Sequence, residues 1–168
     1  MTTRKCFYSF HYQPDCVRAS QVRNIGVVEG NAPARDNDWE TVTKGGDAAI
    51  AEWIKGQMQG RSCAIILVGQ DTANRKWINH EIVKAWDKGM GVVGIRIHGL
   101  KNFDGVTSTA GANPFDFVTH GGTKSKLSTI VKCYDPVGQD SKAKYDWIAT
   151  NLANLVEDAI SIRNKYNS

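Results

Sequence analysis

The chain has 168 residues, 41% of them hydrophobic and 23% charged, with a formal net charge of +4 from 21 Lys and Arg against 17 Asp and Glu. That length and mixture fit a globular protein with enough chain to bury a core, read as one domain over residues 1–168. No block of like charge reaches the five or so in a row expected of a nucleic-acid or membrane patch, and no stretch nears the roughly 18 apolar residues of a membrane span, so neither nucleic acid nor membrane is an expected partner.

Cys6, Cys16, Cys63 and Cys133 stand far apart without a CxxC pair. Three of them fall in predicted strands, where a thiol acts as a small apolar side chain. No metal site or disulfide framework is expected, and a reducing cytoplasm is the natural setting. The first residues, Met1 to Lys5, show no apolar signal core.

In chain order, Lys5 to Tyr12 is an aromatic-rich first strand ended by Gln13-Pro14. A helix runs from Asp15, read as its cap, to Asn24, and Gly26 stops it. Val27-Val28 starts a short second strand. Residues 29–46 read as loop, with Trp39 as an odd large aromatic in a polar stretch. Asp47 opens a helix with Ile50, Trp53, Ile54 and Met58 at helical spacing, ended by Gly60. Cys63 to Val68 is a continuous apolar run, the pattern of a strand buried on both faces. After a short loop, residues 75–86 form an amphipathic helix with Ile78, Ile82, Ala85 and Trp86 on one face.

Val92 to Ile97 is another buried strand. His98 to Lys126 is a 29-residue loop with five glycines and a short turn at Pro114–Phe117, and loops that long in compact domains are usually functional or disordered. Leu127 to Tyr134 is read as the last strand. A final helix opens at Asp140 or Ser141, with Ile148, Leu152, Leu155, Ala159 and Ile162 on one stripe. Strands alternating with helices predict an α/β, flavodoxin-like three-layer fold with a five-stranded parallel sheet in the order 2-1-3-4-5.

In such sheets ligands bind beyond the carboxyl ends of the strands, where strand order reverses between strands 1 and 3. Three segments then meet: Ser9-Phe10-His11, the helix carrying Glu81, and part of the long loop. Turning about 100° per residue places Glu81 at the edge of the helix's apolar face, half in and half out of the core. As a sequence feature it is either a surface glutamate or a cleft carboxylate. His11 reads as a strand-end histidine or a cleft residue, and His80 as solvated. Trp77 is a rim aromatic or a stacking wall for a flat ring. Asn113-Pro114-Phe115 is ordinary turn chemistry.

Several chemistries are excluded. Strand 1 ends in Phe10-His11-Tyr12 without the acidic pair of a phospho-receiver. No glycine-rich turn follows it to cradle a nucleotide, and no G-x-S-x-G elbow occurs. What remains is one carboxylate with aromatics, amides and a long loop. A lone carboxylate can cleave an N-glycosidic bond when the leaving group is already cationic, as nicotinamide is in NAD, because no general acid is then needed. The composition permits this reading without requiring it.

Five stretches in order, Phe7–Tyr12, Val22–Asn24, Asn74–Ile82, Gly94–His98 and Gly111–Asp116, resemble the TIR-like proteins of the bacterial Thoeris anti-phage system, over about residues 4 to 118. The resemblance implies a TIR fold that takes NAD as substrate, with no separate cofactor. It implies release of nicotinamide and formation of a cyclic ADP-ribose isomer that activates a separate effector, which is reached through that product and not by direct binding to this protein. It assigns the catalytic glutamate of the W-[IV]-x-x-E-I helix to Glu81. Asn113 becomes a ligand-positioning or cyclisation residue, and Ser9, Phe10 and His11 a wall of the nucleotide pocket, with Trp77 beside them. Over the loop holding Asp36 and Trp39 it does not align cleanly and assigns no roles. The long loop around Asn113 is expected to act as a lid. TIR domains also self-assemble, so a homo-oligomer is implied. Alternatives are a TIR-like interaction module without turnover and a nucleoside deoxyribosyltransferase-like enzyme.

Overall fold

The computed structural model describes residues 3–30, 46–119 and 125–166. Asp36 and Trp39 lie outside the described residues. Five parallel strands form one sheet in the order β2-β1-β3-β4-β5, the expected 2-1-3-4-5. They are β1 (Lys5–Ser9), β2 (Glu29–Gly30), β3 (Cys63–Val68), β4 (Gly91–Arg96) and β5 (Cys133–Tyr134). The described helices are α1 (Tyr12–Arg23), α2 (Asp47–Met58), α3 (Lys76–Asp87) and α4 (Ser141–Asn164).

The two central strands set the layers. Every residue of β3 is buried, so the sheet is covered on both faces. Side chains alternate along a strand. Cys6, Tyr8, Cys63, Ile65 and Leu67 therefore pack with α1 and α4, through Val22, Ile148, Leu152 and Val156. Phe7, Ala64, Ile66 and Val68 pack with α2 and α3, through Ile54, Met58, Ile78 and Ile82. Cys6 and Cys63 are partners in the β1–β3 register and remain free thiols.

Four boundaries differ from the sequence reading. The first strand ends at Ser9, because α1 begins at Tyr12 with His11 as its N-cap. Pro14 does not end the strand; it is the third helical residue, within the first turn whose N–H groups have no intrahelical partner. Asp15 is accordingly inside the helix and buried, not its cap. The second strand is Glu29–Gly30, two residues later than expected, where Gly30 leaves room for the Tyr8 ring; a Cβ there would lie 2.5 Å from it.

The last strand is also shorter than expected. Leu127–Thr129 forms a 3-10 turn and only Cys133–Tyr134 pairs with β4. The apolar residues Leu127, Ile130 and Val131 are spaced i, i+3, i+4, which is turn spacing, and Leu127 and Val131 are buried. The final helix is capped by Asp140, whose carboxylate accepts from the Ala143 N–H at 2.8 Å. Its buried stripe includes Val156 and Arg163, while Ile162 is only partly covered.

α4 lies close on β4. A Cβ at Gly91 would approach the Ile160 nitrogen to 2.7 Å and the Ala159 carbonyl carbon to 2.8 Å. Backbone cannot step aside as a side-chain tip can. Gly91→Ala is expected to cost about 1–3 kcal/mol of stability, read from the urea midpoint; an unchanged midpoint would refute that close packing.

Candidate active site

Period-2 alternation from Phe7 turns Ser9 toward the α3 side of the sheet. Ser9 is the last residue of β1 and is buried. Across from it, on α3, lies Glu81. The sequence places this carboxyl at the helix edge; the structure buries it, with 5% of its surface exposed. The edge of the apolar face is covered because α3 packs flat against β3, β4 and the 3-10 turn at Pro114–Phe117.

Burial pushes the Glu81 pKa up to about 8 from 4.5, and the facing Ser9 hydroxyl pulls it partly back. The two groups are near but close no hydrogen bond of ordinary length. Ser9 Oγ and Glu81 Oε2 are both buried without a partner among the described residues. Such orphaned polar atoms are costly in a finished core, and a site built to meet a ligand is one place they persist.

Two other residues expected here stand at the starts of neighbouring elements. His11 takes the N-cap position of α1 just after β1, with Nδ1 buried and without a partner among the described residues. Burial, then the nearby Arg75 charge, hold its pKa below the usual imidazole value against the opposing pull of Asp71. Asn113 caps the 3-10 turn, its Oδ1 accepting from the Phe115 N–H at 2.9 Å. That turn packs on α3, and Phe115 is buried in the same cluster as Ile78 and Ile82.

Two expected residues turn elsewhere. Phe10 packs on the α1 side of the sheet and lines a cavity of about 440 Å³ with Tyr8, Arg23 and Phe103. Strand alternation explains this, since Ser9 and Phe10 leave the backbone in opposite directions. Trp77 lines an outer groove of about 710 Å³ between α2 and α3, with Ala48, Ala51 and Val83. There His80 meets it edge-on, ring centroids 5.2 Å apart. His80 is half-buried, not solvated, and its Nε2 is buried without a partner among the described residues.

Two arginines that govern the long loop are not legible as such in the sequence. Arg18 is buried with Asp15, their side chains 3.2 Å apart, and donates to the carbonyls of Leu100 at 2.8 Å and Val106 at 2.9 Å. Arg96, at the end of β4, donates to the Gly111 carbonyl. The only local trace is the i, i+3 spacing of Asp15 and Arg18; their loop partners lie 82 and 88 residues away. The segment expected to act as a lid is therefore tied to α1 at Leu100 and Val106 and to β4 at Gly111. Residues 120–124 of that loop lie outside the described residues.

Among the described residues no group of three or more His, Cys, Asp or Glu side chains could hold a metal ion. Nor is any described helix long and apolar enough to cross a membrane.

The family model described as "Thoeris protein ThsB, TIR-like domain" matches residues 7–102, which contain Ser9, Phe10, His11, Trp77 and Glu81 and end before Asn113. A protein of Bacillus cereus (strain MSX-D12) named "Putative cyclic ADP-D-ribose synthase ThsB1" is 36% identical over 121 residues, covering 68% of this chain and 62% of that protein. The matched part is thus less than two thirds of that relative's length.

Proposed function

The chain belongs to the Thoeris ThsB family of TIR-like proteins, and from that membership we propose that it cleaves the nicotinamide N-glycosidic bond of NAD and cyclises the remainder to a cyclic ADP-ribose isomer. The observation that supports this most is the buried Glu81 carboxyl facing Ser9 at the carboxyl end of β1, its Oε2 without a partner among the described residues. The relative's printed name supports the same product class.

The chemistry follows from where the charge goes. In the free protein at pH 7 the Glu81 carboxyl is mostly neutral, since burial favours its protonated form. A cationic nicotinamide riboside brought beside it favours the carboxylate, so binding drives off the proton. The glycosidic bond then breaks with its electron pair going to the ring nitrogen, and nicotinamide leaves neutral. Positive charge develops at the sugar carbon, where the carboxylate stabilises it in a site with little competing water. A hydroxyl of the substrate's second ribose attacks that carbon and loses its proton, closing the ring. Water attacking instead gives linear ADP-ribose, so holding the folded substrate and excluding water decide the product.

In this reading Glu81 stabilises the cation, Asn113 orients the substrate, and Ser9 and His11 line the pocket. Phe10 and Trp77 face other surfaces of the free chain. NAD is the substrate and no further cofactor takes part. The product acts as a signal to a separate effector, in the cytoplasm where NAD and reduced thiols are found.

The test is to incubate the protein with NAD, with and without lysate from phage-infected cells, and separate the products by chromatography and mass. Release of nicotinamide together with a species of ADP-ribose mass less one water is expected. NAD left intact under both conditions counts against the proposal.

A further inference from the structure

We propose that Arg96 and Gly111 are positioning residues that hold Asn113 at the carboxyl ends of β3 and β4 and thereby set how the reacting sugar is captured, an inference that rests on the NAD reading above. Alternation along β4 fixes the direction. Val92 packs in the α2/α3-side core and Gly94 lies against Phe115, so Arg96 leaves the strand on the same face as Ser9 and Glu81. In register, Ser9 pairs with Ile66 and Ile66 with Gly94, while Arg96 pairs with Val68. Arg96 thus stands two strands from Ser9 and one side-chain step nearer the carboxyl ends.

From there its guanidinium donates to the Gly111 carbonyl. Gly111 lies flat on the loop after β3. A Cβ on it would come 2.4 Å from the Gly69 carbonyl oxygen and 2.5 Å from that of Gln70. Close backbone approach of this kind admits only glycine. Two residues beyond Asn113, Phe115 is fully buried against Gly94. Asn113 therefore sits midway between two anchors, each two residues away.

The anchoring has a chemical use. With Asn113 Oδ1 occupied by the Phe115 N–H, the group left to it is the amide nitrogen, a donor suited to a ribose or phosphate oxygen. A donor guides ring closure only if it is held to within about half an ångström of its working place. Arg96 and the Gly69–Gln70 backbone supply that constraint at Gly111, and Phe115 supplies it on the other side of Asn113.

Arg96→Ala removes one anchor, and Gly111→Ala pushes the segment away from Gly69 and Gln70. In both variants the ratio of cyclic to linear product is expected to fall about tenfold or more, since displacements near an ångström cost up to about a hundredfold. The KM for NAD should stay within about threefold, and Arg96→Lys, which keeps a donor, should recover part of the ratio. In an Asn113→Ala background Arg96→Ala should add nothing, because it acts through that residue. Hydrogen exchange at the Phe115 amide should quicken in both single variants.

An unchanged ratio in both variants, or an unchanged Phe115 exchange rate, would overturn the proposal. So would a further loss on adding Arg96→Ala to Asn113→Ala, which would mean Arg96 meets the substrate itself. If Arg96→Ala fails to fold, Gly111→Ala carries the comparison. A wild-type chain that leaves NAD intact defeats the reaction reading instead, and the exchange rates still decide the positioning.

Discussion

Glu81→Gln should lower nicotinamide release from NAD by about a hundredfold to a thousandfold, the scale on which a single stabiliser of developing charge acts, without loss of fold. The amide has the shape of the neutral acid that burial favours, so it fills the same place beside Ser9. It cannot take the negative charge that a cationic sugar requires. A variant that retained release within about tenfold of the wild type would remove Glu81 from the mechanism.

The pH dependence gives a second reading of the same group. Its carboxyl is raised from 4.5 to about 8, so the folded chain holds a proton that the unfolded chain releases across that window. Folding stability therefore falls as pH rises from about 4.5 to about 8, by up to about 5 kcal/mol from this group once it is ionised. Below 4.5 the group contributes no such penalty. In Glu81→Gln this part of the slope disappears, and above pH 8 the variant should be the more stable of the two. On the mechanism proposed above, the carboxylate is the working form in turnover. kcat/KM, which reports the free protein, should rise about tenfold per pH unit and level off near pH 8. Urea midpoints measured across pH for both proteins check the first expectation, and an identical slope in the two would contradict it. A flat kcat/KM between pH 6 and 8 would contradict the second.

Asp15→Ala should cost about 3–5 kcal/mol, the scale for leaving a buried charge without its partner. Asp15 is 1% exposed and Arg18 4%. The Arg18 guanidinium bridges α1 to the loop carbonyls of Leu100 and Val106, so its charge cannot leave for water without opening the loop. The Asp15 carboxylate lies where Gly69 would carry a side chain; a Cβ there would be 2.0 Å from Oδ2. Burial raises its pKa and the Arg18 charge opposes that rise. Asp15→Asn keeps the size and an acceptor for Arg18 but not the charge, and should cost less, about 1–3 kcal/mol. Denaturation midpoints rank the two, and hydrogen exchange over residues 100–106 should quicken in Asp15→Ala. A loss under about 0.5 kcal/mol for Asp15→Ala would show that the pair does not hold the loop.

The sequence by itself determined the architecture. The apolar runs Cys63–Val68 and Val92–Ile97 could only be strands covered on both faces, and the i, i+4, i+7, i+8 spacing of Ile78, Ile82, Ala85 and Trp86 set α3 and the place of Glu81 on it. These are local periodicities, and burial of an apolar face depends on little else. The five stretches resembling Thoeris proteins carried the family in the same local way. What only the tertiary structure decided is the environment of each polar group. Glu81 is buried because α3 lies flat on the sheet, and Phe10 is turned away because β1 runs straight through Ser9. The Leu127 stretch turns because Leu127 must reach the core. Above all, the long loop is held by Arg18 and Arg96, whose partners are carbonyls. Every residue carries a carbonyl, so a bond to one leaves no mark on the sequence. Which carbonyl an arginine finds is settled only when distant segments have packed.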